Sequence, residues 1–228
     1  MTPLVPAFAA TLALLLGATA ATAQLPAAPD SRALGDSAYV VRARADSARR
    51  PYTEADVRFM SGMIAHHAQA VIMSRMAPTH GASPAVRTLA ERIINAQQDE
   101  IALVQSWLRD RGKPVPDPLH APAGGMADMA GMPGMEGMHH DHDLMPGMLT
   151  DAQLRELDAA RGPAFDKLFL TDMIRHHNGA IAMVKDLFEQ TGAGQDELVF
   201  KFANDVQVDQ STEVARMQRM LATILFGQ

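Results

Sequence analysis

The sequence predicts an all-α fold, a four-helix bundle assembled from two repeated helix pairs. Three observations carry this. First, residues 56–73 and 166–183 match position for position, with Asp56/Asp166, Phe59/Phe169, Met63/Met173, Ile64/Ile174, His66/His176, His67/His177, Ala70/Ala180 and Met73/Met183 identical. Second, the stretch behind each copy repeats too: Ala90, Ile93, Gln97, Glu100, Ile101 and Leu108 correspond to Ala203, Val206, Gln210, Glu213, Val214 and Leu221. Third, aromatics make up only 5% of the chain while Met reaches 16 residues, which suits helices better than sheets. Four amphipathic stripes bury most simply against one another in a single bundle.

Residues 1–23 lack charged side chains, carry an apolar run from Phe8 to Leu16, and end in Ala21-Thr22-Ala23. This pattern reads as a secretory signal peptide cleaved after Ala23, and the run is short for a bilayer span. Residues 24–51 read as a flexible leader. The first helix starts at Thr53, an N-cap with Asp56 three residues on, and its periodicity runs to Met76 before Pro78. Ser83 caps the second helix, with Pro84 at its first position, and Gly112 and Pro114 end it near Arg111. These two form the first helix pair, 52–112. A linker, 113–149, is rich in Pro, Gly, Met and His and has no helical or strand period. Thr150, with Gln153 in capping-box position, opens the second pair, 150–228: a short helix to about 161, a long one over about 164–190, and a last one over about 195–226. Residues 52–228 are then one bundle domain.

A net charge of −6 disfavours a nucleic-acid partner, and no apolar stretch after the signal could cross a membrane. With no Cys, thiolate chemistry and disulfides are excluded. At about 100° per residue, Phe59, Met63, His66, Ala70 and Met73 share one narrow, inward face, with His67 and Asp56 at its margin. The second copy behaves identically. His66 and His176 are therefore core-facing, and His67 and His177 half-buried. Two readings stand. Imidazole and thioether together suit a soft or borderline metal such as copper. Alternatively, the histidines are polar struts satisfied by Gln97, Gln210, Asp56 and Asp166. The flanking Glu100 and Glu213 read as solvated or paired with basic neighbours, and His80 as a surface turn residue.

Within the linker, Met126, Met129, Met132, Met135 and Met138 recur every third residue, and Met145 and Met148 repeat the spacing. His139, His140 and His142 are embedded among them. Gly and Pro between them disfavour a helix, so these methionines are not core residues at helical spacing. Thioethers suit Cu(I) or Ag(I), and the His cluster suits Cu(II), Zn(II) or Ni(II). The linker accordingly reads as a secondary metal site, the alternative being a low-complexity spacer whose Met content is accidental.

The doubled pattern Asp-x-x-Phe-x-x-x-Met-Ile-x-His-His-x-x-Ala, each copy followed by a Gln-x-x-Glu-Ile/Val helix, resembles a family of exported bacterial proteins catalogued as "domain of unknown function 305". The resemblance covers about residues 52–226. It implies a ferritin-like helical bundle and copper binding, since the family includes a periplasmic copper-binding member. The implied ligands fall on Met63, His66, His67, Met73, Met173, His176, His177 and Met183. The expected function is copper sequestration, transfer or tolerance in the periplasm or outside the cell, without turnover. Its partners would be metal ions and copper-handling proteins of the same compartment. Two alternatives remain. A ferritin-like metal-dependent oxidase would need Glu-x-x-His on its helices, and the chain has that spacing only at Glu136 and His139, in the linker. A non-metal helical interaction module would use the His pairs as struts.

Overall fold

In a computed structural model, which describes residues 51–118 and 144–227, the described residues form five helices, four long ones in two pairs and one short one. They are α1 (Glu54–Met76), α2 (Pro84–Asp110), α3 (Asp151–Ala159), α4 (Gly162–Glu189) and α5 (Glu197–Phe226). No strand occurs among the described residues. The signal peptide and nearly all of the leader lie outside them. So do His120 and the linker positions Met126, Met129, Met132, Met135, Met138, His139, His140 and His142.

The helix ends follow local chemistry. Thr53 and Asp56 close a full capping box at α1, and Thr150 and Gln153 close another at α3. Ser83 accepts from Val86 N at the start of α2, where Pro84 stands at the first position. α4 begins at Gly162, two residues earlier than the periodicity predicts, because Pro163 fits the first turn of a helix. Asp196 caps α5, accepting from Leu198 N and Val199 N.

α1 packs along α2, α4 along α5, and the two pairs meet across α1 and α4. The core has two apolar clusters. One gathers Met73, Leu89, Ile93, Phe165, Phe169, Met173 and Met217; the other gathers Phe59, Met63, Trp107, Val184, Phe202 and Val206. The predicted narrow inward face holds for α4 better than for α1. Met60, Ile64, Ala65, Ala68 and Val71 are buried as well, so α1 is enclosed on most sides.

The repeated aspartates join the halves. Asp56, on α1, accepts from Gly194 N at 2.7 Å in the α4–α5 turn. Asp166, on α4, accepts from Ser83 N at 3.1 Å in the α1–α2 turn. Each carboxylate thus clamps the opposite pair's loop. Predicted as partners for imidazole, they serve the backbone instead, because the start of each His helix lies beside the other pair's turn. His80 is likewise not a surface residue: it is buried, and its Nε2 donates toward Asp158 at 3.0 Å. Its turn is enclosed by the start of α4, where Gly162 N donates to His80 O.

Candidate metal centre

Midway along α1 and α4 the repeated histidines meet. The His66 and His176 rings lie with centroids 3.9 Å apart and planes 41° from each other. Both are essentially without solvent exposure. Burial, and then the neighbouring His67, lowers the His66 pKa to about 3. Burial, and then His66, holds His176 well below the usual imidazole range. Two uncharged rings therefore lie tilted against each other in the interior.

Their nitrogens are poorly provided for. His66 Nε2 lies 3.0 Å from the Pro146 carbonyl oxygen. A carbonyl only accepts, so Nε2 carries the proton and Nδ1 presents a lone pair. That Nδ1 has no hydrogen-bond partner among the described residues, and neither ring nitrogen of His176 has a well-aligned one, its nearest polar contact being the His66 backbone. Each unmet buried polar group costs roughly 1–3 kcal/mol. A lone pair held ready by a hydrogen bond at the far nitrogen is how proteins orient imidazole for a metal.

His67 and His177 are fully buried rather than half-buried. The reason lies on the partner helices: Nε2 of each stands 2.8 Å from a carboxylate oxygen, Glu100 for His67 and Glu213 for His177. These glutamates are therefore largely buried against imidazole rather than matched with basic residues. The two contacts are not equivalent, since His177 donates in good alignment while the His67 ring is turned out of line with Glu100. Gln97 and Gln210 are buried as predicted, but they do not serve the histidines. Both amide ends of Gln97 and the Oε1 of Gln210 lack partners among the described residues.

The methionines divide. Met63, Met73 and Met173 are wholly buried in the core, whereas Met183 is half-buried at its edge. Met145 and Met148, at the end of the linker, are half-buried as well. No group of three or more His, Asp or Glu side chains is placed to share one ion among the described residues. The potential donors around the four histidines are imidazole, thioether and the Glu100 and Glu213 carboxylates.

Sequence reasoning missed the segment that crosses this centre. Residues 145–149 form a strap over α1 and α4. Gln69 clamps it through both backbone groups of one residue, donating to Leu149 O at 2.9 Å and accepting from Leu149 N at 2.7 Å. Gly179 makes room for it, because a Cβ there would lie 1.9 Å from the Pro146 oxygen. The signal was present as two mismatches in the repeat: Gln69 aligns with Gly179, and Gly62 with Asp172.

Residues 56–221 match the family described as "Domain of unknown function (DUF305)". The chain belongs to the DUF305 family. No curated protein matches it. Among solved structures it is similar to a DUF305 protein from Streptomyces coelicolor, at 28% identity and a TM-score of 0.59, covering 75% of this chain and 93% of that one. It is also similar to CopM in a Cu(II)-bound form, at 28% identity and a TM-score of 0.54, covering 72% and 94%. Similarity extends to CopM in a silver-bound form, at 26% identity and a TM-score of 0.50, covering 72% and 93%. No helix among the described residues is long and apolar enough to cross a membrane.

Proposed function

We propose that this protein binds copper in an exported compartment and holds it for sequestration or transfer, without turnover. The observation that carries the reading is the His66–His176 pair: two neutral imidazoles, one from each repeat, whose centroids are 3.9 Å apart and whose nitrogens, His66 Nε2 aside, lack a well-aligned hydrogen-bond partner among the described residues. A buried pair of this kind is costly as a strut and useful as a ligand pair. Thioethers around the histidines bias the donor set toward Cu(I), with Ag(I) as its closest mimic. The likeness to CopM, solved with Cu(II) and with silver, supports the same reading.

The test is a Cu(I) titration of the purified mature chain against a competing chelator, with His66→Phe and His176→Phe alongside. At least one equivalent should bind, and each variant should lose the tightest one. Less than one equivalent for the wild type, or unchanged affinity in both variants, would end the reading. An oxidase reading draws on the two His–Glu contacts. It predicts oxygen consumption when Cu(I) is supplied, whereas a holding role predicts none.

A further inference from the structure

The strap does more than cover the histidine pair. Met145 Sδ lies 3.1 Å, and Met183 Cε 3.5 Å, from the point where a Cβ on Gly62 would stand. The ends of a linker methionine and a second-repeat methionine thus share the hollow left by a glycine. Gly62 is one helical turn before His66 on the same side of α1, so the hollow lies next to the ring pair, about 6 Å along the helix axis. Both side chains are half-buried, which leaves the hollow reachable from solvent.

The repeat shows that this arrangement is particular to one side. The partner of Gly62 in the second copy is Asp172, which turns to Arg175 at 3.5 Å. The partner of Met183 is Met73, closed inside the core. The partner of Gly179, which admits the strap, is Gln69, which grips it. The two copies diverge at the positions that seat residues 145–149 and keep the thioether beside them open.

We propose that Met145 and Met183 form a thioether site for Cu(I) or Ag(I) over Gly62, made jointly by the linker's end and the second repeat. The proposal rests on the copper reading above and names how the metal reaches the histidine pair. The strap supplies a sulfur at the rim and, through the Pro146 carbonyl, the proton placement that frees Nδ1 of His66. Thioether sulfur suits such soft ions and has no proton to lose, so it stays a ligand at low pH.

The experiment uses the full mature chain labelled with carbon-13 at methionine methyls and nitrogen-15 at histidines, titrated with silver nitrate. The methyls are assigned through Met145→Leu and Met183→Leu. The Met145 and Met183 methyl signals should shift together and saturate at the same added silver. In Met145→Leu, the Met183 shift should need roughly tenfold more silver, in the range seen when a supporting group is removed from a metal site. Gly62→Ala, which leaves both sulfurs but presses on Met145, should weaken the pair in the same direction. If histidine signals respond while Met145 and Met183 saturate separately, or if Met183 titrates unchanged in Met145→Leu, the thioether site falls and the copper reading stands. If neither methionine nor histidine signals move, both fall.

Discussion

His66 shows how a single residue is set by its surroundings. The sequence placed it on an inward face; the strap carbonyl decided which nitrogen carries the proton. Its pKa, lowered to about 3 chiefly by burial, makes a statement about stability. The unfolded chain takes up a proton near pH 6.5 and the folded one does not, so stability is full above that pH and falls as the pH drops toward 3. At pH 5 the loss from His66 alone is on the order of 2 kcal/mol. Urea denaturation of metal-free protein at pH 7.5 and 5 measures it, and His66→Asn should flatten the slope. Equal stability at the two pH values would contradict a buried neutral ring. The other histidines show how far pattern reaches. Angular position put His67 and His177 at the margin, yet each is sealed in because a glutamate from the neighbouring helix comes to meet it.

Among the elements, the two aspartate clamps and the strap carry the consequences. Asp56 holds its own capping box and the α4–α5 turn, so Asp56→Ala strands both Thr53 N and Gly194 N. A loss of roughly 2–4 kcal/mol is expected, against roughly 1–3 for Asp166→Ala, which strands Ser83 N alone. Denaturant midpoints order the two, and a reversed order would show that the Asp166 clamp is the stronger. Gly179→Ala tests the strap. Its Cβ cannot coexist with the Pro146 carbonyl, so the variant should lose about 2 kcal/mol and expose Gln69 and His66. Hydrogen exchange reads this directly: Leu149 N, which donates to Gln69, should lose its protection while α2 and α5 keep theirs. Helix boundaries were legible within a few residues because caps and stops are local chemistry. The strap was not, since no periodicity marks a segment whose fit depends on a missing Cβ in a helix.

Over the whole molecule, metal and charge act through linkage. A metal that binds only the folded state raises stability by mass action, about 2.7 kcal/mol at a hundredfold excess over Kd. Copper or silver should therefore raise the Tm of the wild type and leave that of a His66→Phe/His176→Phe double variant nearly unchanged. A wild-type Tm indifferent to both ions would support the histidines as struts. Charge acts on the flank where α2 and α5 come near each other. Burial, then Glu100, Asp205 and Glu213, raises the pKa of Asp209 above the usual carboxylate range. Ionised Asp209 is thus unfavourable in the fold, and Asp209→Asn should stabilise the protein at pH 7 by less than about 1 kcal/mol, given its exposure. The gain should fade as the pH falls through the carboxylate range, which denaturation at pH 7 and 4 would show.

The repeat, the caps and the helical period were enough to specify an all-helical bundle with imidazole and thioether in its interior, because those features arise from neighbours in sequence. Which atoms meet was decided by tertiary structure. The duplicated motif reads as symmetric, yet its copies sit in unequal surroundings: one methionine is closed in the core and its mate is half-buried near Met145. That inequality comes from one strap lying across two equivalent helices, a contact between residues about eighty positions apart, which no local pattern records.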